Sequence, residues 1–482
     1  MSYEIRANYT EQYLFPPSLE DFVPLDHPAR FIREFVDSLD LRGMGFKVRE
    51  SEEGRPNYGT DLLLKVWLYG YFESMRSSRK LEKGCCQHVG LLWLTGLHYP
   101  DHNTLWRFYR DNRRLLKKVF VEAVSLAVKG GLVGMVLNAV DGTKIRADVS
   151  RESGLHEERL KDLLWFEAHH KKRLNESVEE VCDQIEEAEE KEEGKEYRLP
   201  DKLAEKERLR DFIQKGLEDL EKEGVSHLSM TDKESRMMIT GEGIKFAYNA
   251  QAVVDAKTGV IVGAEVVSEE SDNFQLVDML DEVKENVGKV AKETVADAGY
   301  FSGEELKKAE ENSYEVLVNT TIVEKKDGSG SEFEIWNFRY DREVDVWICP
   351  KGGVLRFERE QKHKGKGYMV RVYRCQGYES CVHRWECSKS KKGRTIGVSP
   401  YHLAIVSQLE KQKQAENKAL LKRRKTIVEP VFGIVKSVLN FRRWTVRGRE
   451  NVRAQWFLIC TAINLRKIYL RWKSLCPVDV YA

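Results

Sequence analysis

Apolar positions recur at helical spacing through the first 130 residues, in Phe31-Ile32-Phe35-Val36-Leu39 and again in Leu62-Leu63-Val66-Trp67-Tyr71. The region 1–130 is therefore expected to be mostly helical. Two short helices are expected at Ser78–His88 and Asn103–Leu116, parted by turn residues at Val89-Gly90 and from Gly96 to Asp101. The second opens on an Asn/Thr cap and carries Arg107, Arg110, Arg113 and Arg114, a helix-turn-helix pattern whose second helix would enter a DNA major groove through Arg107 and Arg110. From Gly134 the period changes. Val136 to Asp141 is a short apolar, β-branched run and reads as a buried strand ending in Asp-Gly.

Residues 156–226 are rich in Glu and Lys and broken by Gly194 and Pro200, as in a charged helical hairpin inserted between strands. Sheet signals return at Lys245–Asp255 and Gly259–Val267, a hairpin about Ala256-Lys257-Thr258. A helix from Phe274 to Val287, a strand at Glu293–Ala296, a helix opened by Ser302-Gly303-Glu304-Glu305 and a strand at Tyr314–Asn319 follow. A further insertion precedes a long basic helix near 402–437, with Pro430 expected to start or kink it. With both insertions removed, the element order is that of the ribonuclease-H fold. The fold class expected is thus multidomain α/β: a ribonuclease-H-like mixed five-stranded sheet with flanking helices, built from 131–150, 236–320 and 400–482. An all-helical DNA-binding domain (1–130) would precede it, and a charged helical hairpin (151–235) and a basic, Cys-bearing insertion (321–399) would interrupt it.

Charge sharpens this picture. Over the 482 residues the net charge is only +1, yet 351–400 carries 13 Lys and Arg against 4 acidic residues, and 401–482 carries 17 against 5. The segment 151–230 carries 15 against 24. A basic carboxyl-terminal third, with Trp385, Phe441, Arg442, Arg443, Trp444 and Trp456 among its residues, is the footprint expected of a surface that meets a polyphosphate backbone.

In the expected topology the strands ending in Asp141 and Asp297 are adjacent and parallel, so both carboxylates converge at the carboxyl edge of the sheet. Glu429, on the final helix, would pack over that edge. Together these three would ligate Mg²⁺, for which Mn²⁺ can substitute, because hard cations take oxygen ligands and leave positions for water and phosphate. Such a site suits in-line phosphoryl transfer. Lys436, seven residues beyond Glu429 and two turns along the helix, would bind the neighbouring phosphate.

These residues carry a resemblance. From LFPPSLEDFVPLDHPAR and YGTDLLLKVWLYGYFESMRSSRKLE, through AVDGTKIRAD, KFAYNAQAVVD and VADAGYF, to VEPVFGIVK, the chain resembles the DDE transposases of bacterial insertion sequences over nearly its whole length. The resemblance implies catalytic Asp141, Asp297 and Glu429, with Lys436 at the lysine of the Tyr-(2)-Arg-(3)-Glu-(6)-Lys signature. The chain departs from that signature upstream, with Lys422 at the tyrosine and Lys425 at the arginine position, and Arg423 and Arg424 between them. Arg424 and Lys425 are accordingly expected at terminal phosphates. The resemblance further implies cleavage of double-stranded DNA at transposon ends, strand transfer into target DNA by the freed 3′-hydroxyl, and a homodimer or larger synaptic assembly.

Cys349, Cys375, Cys381 and Cys387 match a structural Zn²⁺ site in number, but C-x₅-C-x₅-C lacks a C-x₂-C knuckle, and free thiols are expected instead. No secretory signal opens the chain and no run reaches the roughly 18–20 apolar residues of a membrane span, so a cytoplasmic, nucleoid-associated protein is expected. The rival readings are a domesticated DNA-binding protein without transposition, against which the complete Asp141/Asp297/Glu429 set argues, and a stand-alone metal-dependent DNA nuclease, which would need no helical reader.

Overall fold

The structure is a computed structural model that describes residues 18–48, 57–149, 154–156, 227–229, 231–320, 332–363 and 367–475, with a few isolated positions besides. The body of the charged hairpin and residues 321–331 lie outside the described residues.

Six helices open the chain: α1 (Pro28–Asp37), α2 (Thr60–Phe72), α3 (Ser78–Gln87), α4 (Val89–Thr95), α5 (His102–Asn112) and α6 (Leu116–Lys129). Their starts follow local chemistry. Pro28 stands at the first helical position of α1, where its missing N–H costs nothing, and the His27 ring accepts from Ala29 N–H. The cap of α5 is Asp101, whose carboxylate accepts from Thr104 N–H at 2.7 Å, rather than the Asn103/Thr104 pair the sequence suggests.

The central sheet holds β1 (Leu137–Arg146), β4 (Arg236–Thr240), β5 (Gly243–Asp255), β6 (Ile261–Val267), β7 (Glu293–Ala296) and β8 (Val316–Val318). Between β1 and β4, the short strands β2 (Gly154–His156) and β3 (His227–Ser229) pair antiparallel and tie the two ends of the charged insertion together. In the main sheet the order runs β4, β5, β1, β7, β8, with β6 on the same edge of β5 as β4. Pairing is antiparallel between β5 and β1 and parallel along β1, β7 and β8. The long strand β5 is flanked on both sides, and every residue from Phe246 to Asp255 is buried. The three antiparallel strands and the two parallel ones stand where the sequence pattern puts them; β4 is an extra strand that the pattern does not single out.

Helix α7 (Leu276–Val287) connects β6 to β7, and α8 (Gly303–Glu311) connects β7 to β8. A second sheet of five short strands, β9 (Arg339–Asp341), β10 (Val346–Ile348), β11 (Val354–Lys362), β12 (Met369–Cys375) and β13 (Thr395–Val398), forms most of the basic insertion around its own small core of Phe333, Phe338, Trp347, Leu355, Tyr373 and Ile396. The four-residue helix α9 (Arg384–Cys387) sits in the loop before β13. The long basic helix expected near 402–437 is two helices, α10 (His402–Lys413) and α11 (Ala415–Gly433), because Gln414 is extended (φ −67°, ψ 135°). Pro430 lies inside α11, well past its start, and a π-helical turn at Ile434–Val438 follows. The 27-residue helix α12 (Arg449–Leu475) closes the chain and packs on α2, α6 and β6.

One apolar core runs through the helical region and the main sheet. Glu282 of α7 is buried in that core, and burial pushes its carboxyl up to about 7, against the pull of Lys117 at 3.7 Å. A raised carboxyl favours the native state only while protonated, so the penalty is absent below the unfolded value near 4.5 and grows as pH rises towards 7. Glu282→Gln is therefore expected to leave the melting temperature unchanged at pH 4.5 and to raise it at pH 8, by on the order of 1–2 kcal/mol in stability. Equal melting of the two proteins at pH 8 would refute this.

Candidate active site

Register brings two carboxylates together. Ala139 of β1 pairs with Val295 of β7, so Asp141 and Asp297, each two residues further on, reach the same level of neighbouring parallel strands. Asp297 ends its strand and caps the short turn that follows, accepting from Gly299 N–H at 2.8 Å. Strand β1 runs on through Asp141 to Arg146, longer than the sequence suggests, and Asp141 is four-fifths buried at its side chain.

The cation between the two aspartates is a guanidinium. Arg424 of α11, only 11% exposed, places Nη1 2.9 Å from Asp141 Oδ2 and Nη2 3.9 Å from Asp297 Oδ2. Burial raises the Asp141 carboxyl above the usual carboxylate range and Asp297 adds to this, while Arg424 opposes both. The helix phase explains the arrangement. Ile427, Val428, Val431 and Phe432 form the buried stripe of α11, and Arg424 lies three to four residues before its first members, on the same face. At 3.6 residues per turn, Glu429 is about 140° round the helix from Arg424. It is exposed. Among the described residues no group of three or more His, Cys, Asp or Glu side chains stands where it could hold a metal ion. The structure thus joins Asp141 and Asp297 and leaves Glu429 outside the pair. The π-helical turn also breaks the simple seven-residue phase between Glu429 and Lys436. Lys436 is surface-exposed as a whole residue, yet its ammonium is partly desolvated; that burial lowers it from the usual lysine range, against the pull of Asp141 and with Arg442 adding to the drop.

Behind the pair lies a polar cluster that the sequence pattern did not reveal as a unit. Asp272, in the loop after β6, accepts from Asn249 Nδ2 and Gln251 Nε2, each at 2.7 Å, and has Lys144 Nζ 3.9 Å from its other oxygen. Tyr300 donates to Gln251 Oε1, and its hydroxyl is driven well above its usual range by burial and by the charges of Asp272, Asp141 and Asp297. The available signal was two amides, Asn249 and Gln251, at alternate positions of an otherwise apolar strand.

The remaining expected DNA contacts divide. Arg107 and Arg110 are exposed on α5, with Arg110 2.8 Å from Asp111. Arg113 and Arg114 instead clamp Glu450 of α12, each at 2.6 Å, and Tyr109 donates to Asn451 O at 2.5 Å. Lys425 and Arg442 are exposed, and Arg443 pairs with Asp148 at 2.7 Å. Trp444 must be corrected. It is 1% exposed and donates through Nε1 to Ile145 O at 3.1 Å, so it anchors the core and cannot stack on a base. Phe441 and Trp456 are buried with it, and of the four aromatics only Trp385 is exposed.

Cys349, Cys375, Cys381 and Cys387 line one cavity of about 450 Å³ beside the second sheet, and Gly353 N–H lies 3.1 Å from Cys349 Sγ. Burial pushes the Cys375 and Cys387 thiols up, and the neighbouring cysteines add to the rise. They are free cysteines in the structure.

Sequence families agree with this architecture. Residues 348–469, from β10 through α11 and into α12, match the model of a transposase DDE domain, and residues 17–111 match that of a second transposase domain, DUF772. The class is transposase. Both domains are typical of bacterial insertion-sequence transposases. No curated protein matches. Among solved structures, a piggyBac transposase synaptic complex with hairpin DNA aligns over 96% of this chain and 76% of that chain, at 10% identity and a TM-score of 0.32, a likeness too slight to bear on function. No helix among the described residues is long and apolar enough to cross a membrane.

Proposed function

We propose that this transposase cuts double-stranded DNA at transposon ends and joins the freed 3′-hydroxyl to target DNA by in-line phosphoryl transfer at Asp141 and Asp297, in a ribonuclease-H-like domain. The observation that carries the reading is the cation already seated between the two aspartates: a guanidinium stands where a divalent ion would bind. Hard carboxylate oxygens from adjacent parallel strands suit Mg²⁺ or Mn²⁺, so the residues present fit such an ion through two of the three expected ligands. A divalent ion there would neutralise phosphate charge and activate the attacking oxygen. Asp141 and Asp297 hold and orient that charge. Arg424 would then leave the seat and be received by a DNA phosphate, alongside exposed Lys425 and with Lys436 at the neighbouring phosphate. Glu429 would complete the set from a part of α11 where Pro430 has already removed one helical hydrogen bond. Synapsis of two ends in a homodimer or larger assembly belongs to the same proposal.

The direct test incubates the purified protein with its own element's ends and Mg²⁺ and maps the cut phosphates. Cuts at the element boundary with 3′-hydroxyl ends, followed by joining to a second duplex, are expected. Random nicking without joining would favour the nuclease reading.

The exposed face of α5 carries the proposed recognition. Arg107→Ala with Arg110→Ala is expected to weaken binding to element ends by about 1–3 kcal/mol per lost base contact, with a smaller loss on random DNA. Equal losses on both DNAs, measured at one salt concentration, would assign these arginines to phosphate alone.

A further inference from the structure

Asp272 takes no part in the expected set of three carboxylates, yet it lies closer to the backbones of Asp141 and Asp297 than a spectator would. A side-chain carbon placed on Gly142, the residue after Asp141, would meet Gln251 Nε2 at 2.4 Å, Asp272 Oδ1 at 2.7 Å and Asn249 Oδ1 at 2.9 Å. A carbon placed on Gly299, two residues after Asp297, would lie 3.0 Å from Asp297 Oδ1 and 3.1 Å from Asp272 Oδ2. Real side chains do not show distances as short as those at Gly142, and those at Gly299 require the neighbouring carboxylates to give by a few tenths of an ångström. Neither glycine has positive φ, so a side chain is opposed at Gly142 and crowded at Gly299 for want of room rather than by backbone strain. Asp272 takes part of that room at both places, together with its amide partners Gln251 and Asn249 beside Gly142 and with Asp297 beside Gly299.

The Asp272 carboxylate is firmly held. Both amides that donate to Asp272 Oδ1 come from side chains with no exposure, on the most enclosed strand of the sheet, and Gln251 is itself fixed by Tyr300. Asn249 Oδ1 is buried with no hydrogen-bond partner and lies beside the Gly142 backbone, an acceptor left over at the same spot. The nearest cation to the other Asp272 oxygen is Lys144 at 3.9 Å, too far to hydrogen-bond. A desolvated negative charge next to two others would be repulsive unless the site is built to receive more than the single positive charge of Arg424.

We infer that Asp272 is a positioning residue of the cation seat: wedged against Gly142 and Gly299, it holds the two strand ends that carry Asp141 and Asp297 in register, and its charge strengthens the seat for a divalent cation. This rests on the proposed function and deepens it. The test is Mn²⁺ binding by the full-length protein without DNA, followed by the electron paramagnetic resonance signal of free Mn²⁺, with melting temperature and DNA affinity measured on the same samples. Asp272→Asn keeps the shape and an oxygen for both amides but removes the charge. It is expected to bind Mn²⁺ about tenfold more weakly, with melting and DNA binding unchanged. Asp272→Ala, which also empties the wedge, is expected to lose more than Asp272→Asn. Unchanged Mn²⁺ affinity in Asp272→Asn would overturn the inference, as would a loss fully accounted for by a fraction of unfolded protein. Asp141→Asn separates the two readings. If it abolishes Mn²⁺ binding while Asp272→Asn has no effect, the active site stands and the role of Asp272 falls; if it binds as wild type does, both fall.

Discussion

Asp141→Asn and Asp297→Asn are each expected to reduce DNA cleavage about a thousandfold or more, near 4 kcal/mol in barrier height, while DNA binding is retained. The amide keeps the volume and one oxygen of the carboxylate but gives up the charge that holds a cation. The two residues occupy equal levels of adjacent parallel strands, so neither can replace the other. The rate of end cleavage at saturating Mg²⁺, read beside a gel-shift affinity, checks this. A variant that cuts at the wild-type rate would remove its residue from the site. Glu429→Gln in the same assay decides whether the exposed glutamate joins the pair during reaction.

The second large effect is expected at Arg424. Arg424→Ala empties the seat between two aspartates, leaving a buried carboxylate without its cation. In metal-free buffer the variant is expected to melt lower, by on the order of 2 kcal/mol in stability, less than for a fully buried pair because Asp297 is 37% exposed. Mn²⁺ is expected to restore that loss, and to bind the variant about tenfold or more tightly than it binds the wild type without DNA, since it no longer competes with a resident cation. Calorimetric melting with and without Mn²⁺ reads both. An Mn²⁺ affinity equal to that of the wild type would mean that the guanidinium and the metal do not share a seat.

The contrast between these two experiments shows what was legible in the sequence. Asp141 and Asp297 could be paired from strand order alone, because parallel neighbours place their carboxyl ends together. The face of α11 could not be read in the same way. Four of its basic residues are contiguous from Lys422 to Lys425, so charge does not mark a side, and only the buried stripe from Ile427 to Phe432 shows that Arg424 points inward and Glu429 outward. Trp444 failed for a related reason: a tryptophan following two arginines looks like a stacking platform, but its partner is the backbone of Ile145, 299 positions earlier in the chain. Asp272 was hidden because an Asp beside Ser and Asn is ordinary turn chemistry, and its significance lies in two glycines that are distant in sequence.

Arg113 and Arg114, which follow α5, clamp Glu450, and Tyr109 of α5 donates to the next residue, so α5 is tied to the helix that packs on the main sheet. Under the proposed function this makes the protein a ruler. A sequence read by Arg107 and Arg110 sits at a fixed offset from the phosphate facing Asp141 and Asp297, so the position of the cut follows from the dimensions of the protein. Changing the number of base pairs between recognised sequence and element boundary should then move the cut relative to the boundary, keeping its distance from the recognised bases.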